Sequence, residues 1–75
     1  MRKYTQRALK QLVRDGIARD ITNADEEYVL SVAKRCDAIG YSTGIYGVNG
    51  ALLKDRNSGD AYAIIARNSN LFRVI

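Results

Sequence analysis

The chain has 75 residues and a formal net charge of +4, with one cysteine and no histidine, proline or tryptophan. A chain of this length forms one domain, residues 1–75, with a thin core, because it buries only about 60–65% of its unfolded surface. The lack of histidine removes the commonest general base near neutral pH. A single cysteine excludes both an intramolecular disulfide and a four-ligand zinc site.

Basic residues are concentrated at the amino-terminal end of the chain. Residues 1–22 contain six Lys/Arg and two acids, whereas residues 23–40 contain four acids and two Lys/Arg. No apolar run approaches the roughly 18–20 residues of a membrane span, and residues 1–14 lack the hydrophobic region of a secretion signal. We therefore expect a cytoplasmic protein with no membrane partner, in which Cys36 is a reduced thiol that packs as a small hydrophobe.

An apolar stripe predicts the first helix over residues 5–15. Thr5 can cap the start of this helix, and Gly16 suits its end because glycine readily adopts positive φ. The apolar side chains recur three and four residues apart, at Ala8, Leu9, Leu12 and Val13. We expect residues 16–22 to form an irregular connector.

A second helix is predicted over residues 23–38. Asn23 and Glu26 have the spacing of a capping box, and the acids of the first turn suit the positive end of the helix dipole. Gly40 is the expected terminator. The apolar stripe of this helix consists of Val29, Val32, Ala33 and Cys36.

The remaining residues carry the pattern of strands and turns. Asn49 and Gly50 form the strongest hairpin signal, since both central positions of a type I′ turn need positive φ. Residues 62–65 are apolar at both odd and even positions, which predicts a central strand covered on both faces. Further turns are expected at 56–59 and 67–70, and strands at 43–48, 51–55, 60–66 and 71–75. The predicted fold is α+β, with two amino-terminal helices packed on a three- to four-stranded antiparallel β-meander.

The composition offers little for catalysis or for binding a cofactor. No nucleophile, base and orienting group can be named together. Residues 55–60 resemble the start of a calcium loop, but the glycine comes one place early and the twelfth position is Ala66. The spacing of Gly44, Gly47 and Gly50 does not match a phosphate-binding loop. We therefore expect no enzyme activity, no metal site and no cofactor.

Binding is the class of function that these residues favour, and two surfaces are candidates. Five cations at the amino-terminal end, three of them on one helix face, can contact the phosphates of a nucleic acid, and they are Arg2, Lys3, Arg7, Lys10 and Arg14. The glycine- and tyrosine-rich segment with the last turn can contact a protein, through Tyr41, Tyr46, Asn49 and Arg67. The alternative interpretation is a solvated helix face and core tyrosines. An exposed sheet edge also allows a homodimer.

Part of the chain resembles a known group of proteins. The residues that carry this resemblance are the run 40–50 (GYSTGIYGVNG), Leu52 and Leu53, and then 66–69 (ARNS) with Leu71 and Phe72. They are similar to small uncharacterised proteins of Gram-positive phages and integrative mobile elements. The resemblance implies an accessory role such as regulation, DNA handling or the blocking of a host defence complex. We expect a small non-enzymatic binding protein acting through protein or nucleic-acid contacts, and the alternative is an anti-CRISPR-like inhibitor.

Overall fold

A five-stranded mixed sheet with a helix on each face forms the fold in the computed structural model, which describes residues 2–73. In chain order the elements are β1 (Arg2–Lys3), α1 (Gln6–Arg14), β2 (Ala18–Asp20), α2 (Glu26–Arg35), β3 (Cys36–Gly44), β4 (Gly47–Asp55), β5 (Ala61–Ile64) and a 3-10 helix (Ser69–Arg73). The strand order is β1-β3-β4-β5-β2. Edge strand β1 runs parallel to β3, and edge strand β2 runs parallel to β5. The three inner strands form two antiparallel pairs, β3 with β4 and β4 with β5.

This topology corrects the predicted fold. Two consecutive helices on an antiparallel meander were expected, but β2 lies between the helices and the chain alternates helix, strand, helix and strand. The segment 16–22, predicted as an irregular connector, contains β2 and pairs with β5. Strands of two and three residues are too short to show a period of two, so their pairing depends on tertiary contacts that the local sequence does not reveal.

Alternate residues of the central strands pack against different helices. Leu53 and Ile64 face α2, whose buried side chains are Val29 and Val32. Leu52 and Ala63 face α1 together with Ala18, and the one fully buried side chain of α1 is Leu9. The chain therefore covers β5 on both faces, as the apolar pattern of residues 62–65 predicts.

Helix α1 forms as its local signals predict. Thr5 is the N-cap, and its side-chain oxygen accepts a hydrogen bond from the backbone N–H of Ala8 at 3.0 Å. Asp15 is the C-cap, and Gly16 follows it with a φ of +74°. The stripe centred on Leu9 faces the sheet, which leaves the opposite side of the helix in solvent.

Helix α2 is shorter than the predicted range of 23–38. Its N-cap is Asp25, whose side chain makes no capping hydrogen bond. Because Asn23 is not the N-cap, the predicted box between Asn23 and Glu26 does not form. It ends at Arg35, and the chain passes directly into β3. Gly40, the predicted terminator, lies inside β3, where a Cβ would collide with the ring of Tyr4 and, at 2.8 Å, with the carbonyl oxygen of Arg2.

The β3–β4 hairpin turns four residues earlier than predicted. Its two turn residues are Ile45 and Tyr46, in the middle of the expected strand 43–48. Asn49 and Gly50 lie within β4 instead of forming the turn. The register shifts at this point, so that Ser42 pairs with Gly50 and the next residue of β3 pairs with Val48, which leaves Asn49 as an extra residue in β4.

The later elements follow the prediction in part. The expected strand 51–55 lies inside β4, and 60–66 shortens to β5. The turn at 56–59 forms, with the carboxylate of Asp55 accepting hydrogen bonds from the backbone N–H groups of Asn57 and Ser58 at 2.8 and 3.1 Å. The expected strand 71–75 is wrong where the structure describes it, because residues 71–73 belong to the 3-10 helix, and residues 74–75 lie outside the described range.

Candidate functional site

The tip of the β3–β4 hairpin presents two large apolar side chains to solvent. Ile45 is 94% exposed and Tyr46 is 91% exposed. Both residues have negative φ, as do all non-glycine residues within the range 2–73. Gly47, which directly follows them, has a φ of +114°. The fold gains almost no buried area from these two side chains, so their apolar character is not explained by packing.

A recess lies beside this tip, between the hairpin and the segment that follows β5. Its walls come from the tip, from Asn49 and from Arg67 to Ser69. The backbone oxygen of Asn49 accepts a hydrogen bond from the N–H of Arg67 at 2.7 Å, which ties the two walls together. The guanidinium of Arg67 donates to the carbonyl oxygen of Ala24, and this hydrogen bond holds the Arg67 side chain in place.

The extra residue in β4 aims the Asn49 side chain toward the tip. Its amide lies so close to Gly44 that a Cβ there would collide with it. Its side-chain oxygen accepts a hydrogen bond from the hydroxyl of the buried Ser42 at 3.3 Å. Irregularities of this kind commonly re-aim a side chain next to a functional site. We call Ile45, Tyr46, Asn49 and Arg67 the hairpin-tip surface.

Three of the four predicted protein-contact residues belong to this surface. Tyr46, Asn49 and Arg67 line the same recess. Tyr41 does not, because its side chain is half-buried and packs against the core beneath α2, while its carbonyl oxygen accepts from the N–H of Tyr4 at 2.8 Å. Ile45 was missed by the sequence analysis, although its position with Tyr46 between two glycines is the spacing of a two-residue turn.

The five residues predicted to contact nucleic acid do not all lie on the same face of the sheet. Arg7, Lys10 and Arg14 are exposed and line one shallow recess on the outer side of α1. Arg2 lies at the register of Gly40, with its guanidinium carbon 5.4 Å from the centre of the Tyr4 ring. Lys3 is the next residue of the same strand, so its side chain points to the opposite face.

The ion pairs of the described residues lie away from α1. Arg35 pairs with Asp55 at 3.3 Å, and Arg56 pairs with Asp37 at 3.1 Å. The backbone N–H groups of the turn after Asp55, together with the nearby Arg35, hold the pKa of the Asp55 carboxyl below its usual value, so this carboxylate stays ionised near neutral pH. These interactions fix the β4–β5 turn and the end of α2.

The thiol of Cys36 is buried, and its burial raises its pKa. A buried thiol with a raised pKa is a weak nucleophile, since the reactive form is the thiolate. Within residues 2–73 no group of three or more histidine, cysteine, aspartate or glutamate side chains is arranged to hold a metal ion.

Both edges of the sheet are short. β1 pairs through two residues and β2 through three, so each offers few backbone groups to a further strand. Short edge strands are one way in which proteins avoid edge-to-edge pairing. The homodimer through a sheet edge stays a prediction.

No family model, no curated protein and no solved structure matches this chain. The resemblance to mobile-element proteins therefore stays a prediction. Neither helix in the range 2–73 has the length and apolar character needed to cross a bilayer.

Proposed function

We propose that this chain is a small non-enzymatic binding protein that recognises another protein through its hairpin-tip surface. The observation that carries the proposal is the pair of adjacent, almost fully exposed side chains of Ile45 and Tyr46 at the end of a two-residue turn. Large aromatic and aliphatic side chains that are exposed in the free protein often become the anchors of an interface. Burying each of them in a partner contributes about 1.5–3 kcal/mol.

The surroundings of the tip favour a partner with an apolar cleft and a polar rim. Arg67 and Asn49 lie in the recess next to Tyr46, and Phe72 and Arg73 lie on its other side. A cleft in the partner would receive the tip, while carbonyl or carboxylate groups at its rim would pair with the arginines. The tip needs little ordering on binding, since a two-residue turn and the hydrogen bonds of Asn49 already hold its base.

The biological setting that we propose comes from the resemblance. The run 40–50 that carries it contains both turn residues of the hairpin tip. This supports a phage or mobile-element accessory protein that acts in the cytoplasm. A protein-binding inhibitor of a host defence complex is the more specific alternative, and it would use the same surface.

Site-specific photocrosslinking in the host cell tests where the partner binds. A photoreactive benzoyl-phenylalanine in place of Tyr46 should give one dominant protein adduct on irradiation. The control places the same group at Tyr28, an exposed tyrosine of α2. An adduct formed equally from both positions would contradict the proposal.

Substitution of the tip then measures its contribution to affinity. Ile45→Ser with Tyr46→Ser should weaken binding of the crosslinked partner by at least about 100-fold, since two anchors of about 1.5–3 kcal/mol each are lost. The matched control, Ile17→Ser with Tyr28→Ser, removes the same side chains from other exposed positions and should bind normally. Thermal unfolding of both variants would show that they fold, and equal affinity of the two would exclude the tip as the contact surface.

A further inference from the structure

The amino-terminal part of the chain carries an unneutralised positive charge. Residues 2–14 contain five Lys/Arg and no acid. The described residues form two ion pairs, and neither includes Arg7, Lys10 or Arg14. The acid that follows, Asp15, accepts a hydrogen bond from the side-chain amide of Gln11 at 2.9 Å. We call Arg7, Lys10 and Arg14 the cationic face of α1.

The geometry of this face is set by the helix. Spacings of three and four residues place its three cations on one side, and a rise of 1.5 Å per residue separates Arg7 from Arg14 by about 10 Å along the axis. Leu9 points the other way, into the core against the sheet. The side chain of Gln6 lies beside the cations in the same recess and adds a hydrogen-bond donor suited to phosphate oxygens, whereas the amide of Gln11 already donates to Asp15.

The side chains of α1 also indicate which polyanion fits. The helix (QRALKQLVR) contains no aromatic residue on which an unpaired base could stack, and stacking is the usual basis of single-strand binding. Its apolar stripe is covered by the sheet, whereas a helix that binds a lipid surface needs that stripe free. A helix about 10–12 Å wide matches the roughly 12 Å major groove of B-form DNA, while the groove of duplex RNA is too narrow to admit it.

We propose that the cationic face of α1 binds the phosphate backbone of double-stranded DNA at the edge of the major groove. Charge complementarity carries this inference, and it is independent of the hairpin-tip surface. The contacts are to phosphates, so they position the protein on DNA and carry no base sequence information. Three phosphate contacts imply a slope of about −2.7 for the logarithm of the binding constant against the logarithm of salt concentration.

Fluorescence anisotropy with a labelled DNA duplex, titrated between about 50 and 200 mM salt, tests the proposal. The test variant is Arg7→Gln with Lys10→Gln and Arg14→Gln. The matched control is Arg19→Gln with Lys34→Gln and Arg73→Gln, which removes the same net charge from exposed positions outside α1. Circular dichroism of both variants would confirm that the substitutions leave the fold intact.

The proposal predicts saturable duplex binding by the natural chain, with loss of most affinity and of the salt slope in the α1 variant only. The control and the Ile45→Ser with Tyr46→Ser variant should keep both. The absence of saturable binding at low salt, an equal loss in the α1 variant and its control, or tighter binding to single-stranded DNA or duplex RNA would each overturn it. An equal loss would show that net charge, and not this face, attracts the DNA.

Discussion

At the scale of single residues, Gly50 occupies a position in β4 that has no room for a side chain. A Cβ at this position would collide with the hydroxyl of Ser42 and would lie 2.6 and 2.7 Å from the carbonyl oxygens of Ile64 and Ile65. The two carbonyl oxygens belong to the backbone and cannot move aside as a side chain can. The absence of a side chain at Gly50 is therefore needed for β4 to pack between β3 and β5.

Replacing Gly50 with alanine should destabilise the protein by about 2–3 kcal/mol, the upper range for overpacking a well-packed site. Gly44→Ala is the matched control in the same hairpin, because the new methyl group there meets only the end of the Asn49 side chain, which can rotate away with loss of its 3.3 Å hydrogen bond from Ser42. We expect that control to cost about 1 kcal/mol, the usual net contribution of one hydrogen bond. Urea unfolding of the two variants measures the difference, and equal losses of stability would show that the close approach at Gly50 is not what requires glycine.

The contacts of single residues explain why the candidate sites were predicted only in part. Tyr46 and Tyr41 belong to the same glycine-rich segment, yet the first is exposed at the tip and the second is half-buried against the core. Asn49 and Gly50 together have the local signature of a turn. The packing of Gly50 against β5 overrides this signature, and that contact joins residues fourteen positions apart, from 50 to 64.

At the scale of elements, the abrupt end of α2 depends on a residue from the β4–β5 turn. The guanidinium of Arg56 donates to the carbonyl oxygens of Lys34 and, at 3.1 Å, of Cys36. The backbone N–H of Arg56 donates to the carbonyl oxygen of Arg35 at 3.2 Å. These bonds satisfy carbonyl groups that the last turn of a helix leaves unpaired, and they replace the glycine cap that was expected at Gly40.

Arg56→Gln should therefore destabilise the protein by about 1–3 kcal/mol, because hydrogen bonds from a charged donor to backbone carbonyl oxygens are lost. The control is Asp37→Asn, which removes only the exposed ion pair with Arg56 and should cost less than about 1 kcal/mol. Chemical unfolding followed by circular dichroism compares the two variants. If both variants lose the same small amount of unfolding free energy, Arg56 acts only as a surface ion-pair partner and does not cap α2.

The elements differ in how well the sequence predicts them because they differ in how local their causes are. Helix α1 is defined by Thr5, by an apolar stripe and by Gly16, all within twelve residues, and it forms as predicted. Helix α2 has similar signals, but β3 begins at Cys36 because Cys36 pairs with Asp55 of the next strand. The edge strands are defined by pairing with β3 and β5 alone, so no local signal could reveal them.

At the scale of the whole molecule, the sheet forms three layers with the helices, and we expect stability to be greatest in its middle. β4 has a strand on each side, and its residues 51–53 alternate between the core beneath α2 and the core beneath α1. The edge strands β1 and β2 hold only two and three residue pairs. The candidate surfaces lie on the periphery of this arrangement, one at a hairpin tip and one on the outer side of a helix.

Native-state hydrogen exchange should reproduce this distribution of stability. The amides of Leu52 and Leu53, in β4, and of Ala63, in β5, should exchange only when the whole protein unfolds. For a domain with about 5 kcal/mol of stability this corresponds to protection factors of about 10³–10⁴. Amides of β1 and of the hairpin tip should exchange at least tenfold faster, since few hydrogen bonds hold them. Equal protection in β1 and β4 would contradict this account, because the edge strand would then unfold only together with the centre of the sheet.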